Sequence, residues 1–169
     1  MTQLRAITER SQVIVTCGTG GVGKTSVAAA LGVVAAQQGR RVVVVTIDPA
    51  RRLLDAIGLD DNVGNGIQQV PLDSVGELWV TMLDVRETFD SLVRDTSQTV
   101  ERANEVMENS FYRSLSKSLS GTRDYMAAER LYNLHNDPRF DLVIVDTPPS
   151  RNALDFLESP ERLARFLKH

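Results

Sequence analysis

The segment Gly18-Thr19-Gly20-Gly21-Val22-Gly23-Lys24-Thr25 has the spacing G-x-x-x-x-G-K-[ST], a set of residue types suited to gripping a phosphate chain. Glycines accept positive φ and let the backbone approach closely, so consecutive N–H groups can face phosphate oxygens. A helix starting directly after the loop adds the positive end of its dipole. Lys24 would set its ammonium against the β- and γ-phosphates, and the Thr25 hydroxyl would ligate a Mg²⁺ ion between them. Ser26 would reach the α-phosphate. Gly20, Gly21, Val22, Gly23, Lys24, Thr25 and Ser26 are therefore the expected contacts of a nucleoside triphosphate. The plain alternative is a glycine-rich turn that binds nothing.

Two carboxylates stand where such a site needs them. Asp48 follows the run Arg41–Ile47 and Asp146 ends the run Leu142–Val145, and nucleotides bind outside the carboxyl ends of parallel strands. Asp48 would orient or deprotonate the water that attacks the γ-phosphate, because phosphoryl transfer rests on positioning and on handling charge. Followed by Pro49, it also reads as the N-cap of a short helix, and the two readings are compatible. Asp146 would hold Mg²⁺ directly or through water; its plain alternative is a strand-ending turn. Pro148 and Pro149 stiffen the segment after it, as a nucleotide-sensing switch requires, or simply stop the strand. Arg51 and Arg52 would reach phosphate or a partner subunit, or are ordinary surface arginines.

The elements that must position these groups follow from hydrophobic pattern. Val13–Cys17 and Arg41–Ile47 are β-branched runs of the kind covered on both faces, with a helix over Ser26–Gln38 between them and a helix stop at Gly39. A short helical segment runs from Asp48 through Leu59, and Asp60–Gly66 is a loop rich in Gly, Asn and Asp. A third strand is expected at Leu78–Leu83 and a fourth at Phe140–Val145. Between them, about 85–135, the pattern is helical with breaks near Ser97 and at Gly121. There Met107, Phe111, Leu115 and Leu119 form one apolar face, which is core or one wall of a groove for hydrophobic cargo. From Asn152 the pattern is helical again, and Leu157, Leu163, Phe166 and Leu167 would cover the sheet or lie on a membrane surface. The expected fold is α/β of the P-loop NTPase type. It has a mostly parallel sheet flanked by helices, a helical insert between the third and fourth strands, and one nucleotide-binding domain over residues 1–169.

Composition narrows the partners. With 169 residues and 42% hydrophobic content the chain can bury one sizeable core. The 19 basic and 22 acidic side chains leave no basic excess, so nucleic acid is not an expected partner. Cys17 is alone, which excludes an internal disulfide and fits a reducing cytoplasm. The N-terminus has no apolar signal core, and no apolar run is long enough to span a bilayer.

With the loop at 18–25, the segment Asp48-Pro49-Ala50-Arg51-Arg52-Leu53-Leu54-Asp55 and the segment Asp146-Thr147-Pro148-Pro149-Ser150-Arg151-Asn152-Ala153-Leu154 in this order, the chain resembles the arsenite-pump ATPases. That family also contains the ATPases that target tail-anchored membrane proteins. The likeness runs over nearly the whole chain, including Leu83-Asp84 and Gly121–Glu129, and is greatest to actinobacterial members. It implies an ATPase using Mg²⁺ and ATP, with Asp48 and Lys24 catalytic and Thr25 and Asp146 at the metal. It also implies a homo- or hetero-dimer with a related ATPase, a membrane protein or hydrophobic cargo as partner, and a cytoplasmic location peripheral to the membrane. The chain departs from the family in three ways. Thr19 stands where a lysine usually reaches the dimer partner's phosphates, the metal- or arsenite-binding cysteines are missing, and the sequence reads as an amino-terminal fragment. The alternative function is a nucleotide-binding regulatory subunit with little or no hydrolysis.

Overall fold

Val42, Val43, Val44 and Val45 are all buried, although successive strand residues point to opposite faces. A strand covered on both sides explains why this run is apolar without alternation. A computed structural model describes residues 2–48, 52–58, 66–109 and 122–149 of the chain. One compact unit runs through Leu83 and resumes at Leu131; a second spans Asp84–Arg130.

The first unit is built on a five-stranded sheet. In chain order its strands are β1 (Val13–Thr16), β2 (Arg41–Thr46), β3 (Gln68–Val70), β4 (Glu77–Met82) and β5 (Leu142–Asp146). In space they run β1-β5-β2-β4-β3, all neighbours parallel except the antiparallel pair β3 and β4. The helices of this unit are α1 (Thr2–Arg10), α2 (Lys24–Gln37) and α3 (Arg52–Ile57). Leu53, Leu54, Leu78, Leu142 and Ile144 are essentially inaccessible and share one cluster with Ala28, Leu31, Ala35 and Ala36 of α2. Burying each of the larger side chains stabilises the fold by about 2 kcal/mol. Helix α2 lies close on the sheet because Gly32 has no side chain. A Cβ there would fall 2.9 Å from Val44 Cγ2 and from Leu78 Cδ1.

The expected parallel α/β sheet is present, with two additions. Helix α1 is polar enough to escape a periodicity reading, and β3 is a three-residue edge strand. With β3 counted, the helical insert falls between the fourth and fifth strands instead of the third and fourth.

The insert supplies the second unit. Helix α4 (Val85–Thr96) starts where Asp84 accepts a hydrogen bond from the Glu87 N–H at 2.9 Å, and α5 (Val100–Glu108) where Thr99 accepts from the Arg102 N–H at 3.2 Å. The expected break near Ser97 is the end of α4. Helix α6 (Thr122–His135) begins in this unit, and its last residues belong to the first. Of the apolar face expected in the insert, Met107 lies in α5, while Phe111, Leu115 and Leu119 fall outside the described residues. The expected C-terminal helix falls outside them too.

Candidate functional site

Strand β5 lies between β1 and β2, so its last residue is in register with the last residues of both. Asp146 pairs with Thr16 on one side and Thr46 on the other. The backbone fastens these ends together. The Ile47 N–H donates to Asp146 O at 2.9 Å, and the Thr147 hydroxyl donates to Thr16 O at 2.7 Å. The Thr16 hydroxyl donates to Val145 O at 3.2 Å. Three strand ends thus form one rigid floor under the glycine loop.

The loop leaves β1 and enters α2 through Gly23, which has φ 85° and ψ 21°. That left-handed conformation strains any residue with a Cβ, although there is open space around it. Gly23 caps α2 without any side-chain hydrogen bond, and the first turn of α2 carries no acidic residue. The Val27 N–H closes a helical bond onto Gly23 O at 2.9 Å, so the N–H groups of the preceding turn have no partner within the helix. A helix start of this kind, with its positive dipole end, is suited to an anion.

A cleft of about 510 Å³ opens here, lined by Gly20, Gly21, Gly23, Lys24, Thr25 and Ser26 of the loop and helix start, together with Asp48, Thr147 and Pro149. Lys24 extends its Nζ to Thr19 O at 3.0 Å, arching over the loop that bears it. The Thr25 hydroxyl donates to Asp146 Oδ2 at 2.9 Å, and the Thr46 hydroxyl donates to the same oxygen at 3.1 Å. Asp146 is 1% exposed. Its other oxygen, Oδ1, is buried and receives no hydrogen bond among the described residues. Burial pushes the Asp146 carboxyl above the usual carboxylate range, against the opposing pull of the Thr25 and Thr46 hydroxyls and the Lys24 charge. The Asp48 charge works with burial. A buried carboxylate held ready by two hydroxyls, with one bare oxygen, suits a cation that takes few protein ligands and completes its shell from water and phosphate. Among the described residues no cluster of three or more His, Cys, Asp or Glu could hold a metal by itself.

Of the residues expected from sequence, Gly20, Gly21, Gly23, Lys24, Thr25, Ser26 and Asp48 come together on one cleft, with Asp146 bonded beneath Thr25. Val22 does not line the cleft; it is 60% exposed. Pro49, Ala50, Arg51 and the side chain of Arg52 fall outside the described residues. The sequence reading missed Thr16, Thr46 and Thr147, the hydroxyl residues that fix the strand ends. Their signal was present: each is a polar residue at or just beyond the end of an apolar run, and each is buried.

A family profile described as Anion-transporting ATPase matches residues 11–169. "ATPase ASNA1 homolog 1" of Paramecium tetraurelia is 29% identical over 150 residues, covering 89% of this chain and 44% of that protein. "ATPase ASNA1 homolog" of Entamoeba dispar is 29% identical over 157 residues, covering 89% and 46%. An "Arsenical pump-driving ATPase" of Escherichia coli is 30% identical over 157 residues, covering 89% and 26%. The chain thus spans less than half the length of these relatives.

Proposed function

The chain belongs to the anion-transporting ATPase family, and from that membership we propose that it binds ATP with Mg²⁺ on the glycine loop and hydrolyses its terminal phosphoanhydride bond. The observation that carries this reading is the Thr25–Asp146 hydrogen bond at 2.9 Å, which ties the loop to a buried carboxylate whose Oδ1 has no donor among the described residues. The N–H groups around Gly20, Gly21 and Gly23 bind the β- and γ-phosphates. Lys24 leaves Thr19 O and sets its charge against them, and Ser26 reaches the α-phosphate. Thr25 and Asp146 would hold the Mg²⁺ ion, which would supply neutralisation of the phosphate charge. Asp48, on the same cleft, orients the attacking water and accepts its proton. The energy of this cycle serves an anion pump or the targeting of membrane proteins. The names of the arsenical pump-driving relatives support the first, and the second is what the resemblance to a family that also contains tail-anchored-protein targeting ATPases implies. The protein acts as a dimer with a second copy or a related ATPase, in the cytoplasm or at the membrane surface.

The test is ATP turnover by the purified protein with and without Mg²⁺, beside Lys24→Ala and Asp48→Asn. Asp48→Asn is expected to keep nucleotide binding and lower turnover by about 10²-fold or more. Wild-type protein that binds nucleotide and never turns it over would favour the regulatory-subunit alternative.

A further inference from the structure

Strand β2 carries four consecutive valines and then a threonine, Thr46, which is 1% exposed. A fifth valine would serve the strand equally well, whereas a buried hydroxyl costs free energy unless both of its functions are met. They are met by the two carboxylate positions of the site. Val42, Val44 and Thr46 share the face of β2 that packs under α2, so the Thr46 side chain points toward the helix that begins with Lys24 and Thr25. Its Oγ1 lies 3.1 Å from Asp146 Oδ2 and 3.3 Å from the backbone nitrogen of Asp48. A hydroxyl has one proton and two lone pairs, an ionised carboxylate only accepts, and an amide N–H only donates. The Thr46 proton therefore goes to Asp146, and a Thr46 lone pair takes the Asp48 N–H.

We propose that Thr46 is a positioning residue for nucleotide hydrolysis, holding the cation-side carboxylate of Asp146 and the start of the Asp48 segment in a fixed relation through one hydroxyl. This rests on the ATPase reading given above. Strand β2 ends at Thr46, and its carbonyl and that of Asp146 accept from Leu83 N–H and Ile47 N–H, both at 2.9 Å. The hydroxyl therefore sits at a rigid point of the floor and reaches the first residues beyond it. With Thr25 also donating to Asp146 Oδ2, that oxygen takes both hydroxyl donors, while Oδ1 receives none among the described residues. Removal of the hydroxyl leaves Asp146 with one donor and leaves the Asp48 N–H without this acceptor.

The test compares Thr46→Val, which keeps the branched shape without the hydroxyl, with Thr46→Ser, which keeps the hydroxyl. Mn²⁺ binding to the protein with ADP is followed by the electron paramagnetic resonance signal of free Mn²⁺, beside nucleotide binding without metal, and kcat and KM for Mg-ATP. Thr46→Val is expected to weaken Mn²⁺ binding about tenfold and to lower kcat by a similar factor, as outer-sphere partners of metal ligands do. Metal-free nucleotide affinity and KM stay near wild type, and Thr46→Ser restores both losses. Should Thr46→Val not fold, Thr46→Ala against Thr46→Ser gives the same contrast, since both lack the methyl and differ only in the hydroxyl. Wild-type Mn²⁺ affinity and kcat in the variants without hydroxyl overturn the proposal and leave the ATPase reading intact. Equal losses in the serine variant, or a loss of metal-free nucleotide binding, also overturn it. Wild-type protein that binds neither Mn²⁺ nor ADP overturns the ATPase reading, and the proposal with it.

Discussion

An aspartate stands at each end of β5, and the two are treated in opposite ways. Asp141, just before the strand, is fully employed. Its Oδ2 accepts from the Arg41 N–H at 2.9 Å and from Arg41 Nε at 3.2 Å, and its Oδ1 accepts from Arg41 Nη2 at 2.7 Å. Its carbonyl accepts from Arg40, whose guanidinium also reaches Thr8 O and Ser11 O. The Arg41 hydrogen bonds hold the Asp141 carboxyl below the usual carboxylate range. Asp146, five residues on, is buried, its carboxyl is pushed above the usual range by burial, and one of its oxygens has no donor among the described residues. A fold spends its arginines at the end of the sheet where it needs only strength. At the other end it keeps a buried carboxylate against the cost of desolvation.

The largest contrast is in catalysis. Asp146→Asn should lower Mg-dependent ATP turnover by about 10²-fold, while Asp141→Asn leaves it within about twofold, the range separating a metal-side group from a remote one. Steady-state turnover of the two purified variants decides it, and equal losses would break the comparison. Next comes Arg40→Met. It removes charged donors from three backbone carbonyls of separate segments, and it should cost about 2–3 kcal/mol of stability in urea unfolding. Turnover per folded molecule should not change, because Arg40 does not line the cleft.

The end that carries the glycine loop was the more legible of the two in sequence. Glycine spacing, Lys24 and Thr25 form a local pattern, and four buried valines announce a strand without any knowledge of its neighbours. Asp146 could be recognised because it interrupts an apolar run. That Asp146 sits between Thr16 and Thr46 could not be read, because it depends on β5 inserting between β1 and β2, a pairing of residues about a hundred or more apart in the chain. The Arg40 clamp was hidden for the same reason. Strand β3 has one buried residue in three and pairs on one side only, so hydrophobic periodicity carries almost no signal for it. Helix α1 is held by polar contacts, Thr8 Oγ1 to Gln38 Oε1 at 2.7 Å among them, which an amphipathic pattern does not reveal.

The two ends should also titrate with opposite sign. The Asp146 carboxyl is raised from its ordinary value of 3.8, so the folded protein takes up that proton more readily than the unfolded chain. Its contribution to stability is complete below that value and is lost as pH rises through the higher, folded one. The Asp141 carboxyl is lowered from 3.8, so its contribution is present above that value and is lost as pH falls through the lower one. Urea midpoints measured against pH, without nucleotide or metal, should therefore lose a decline on the alkaline side of 3.8 in Asp146→Asn. In Asp141→Asn they should lose a decline on its acid side.

The smallest effect expected is that of Asp141→Asn on stability at neutral pH. The Arg41 and Asp141 side chains are 46% and 37% exposed, so water and salt screen the pair despite its bidentate geometry. The loss should be at most about 1 kcal/mol at low ionic strength. It should shrink further in molar salt, where the screening length falls to about 3 Å. A larger loss that persists in high salt would mean that the Arg41 N–H bond to Asp141 Oδ2, not the ion pair, secures the start of the strand. Asp141→Ala beside Asp141→Asn separates the two, since asparagine keeps an oxygen acceptor for that N–H and alanine does not.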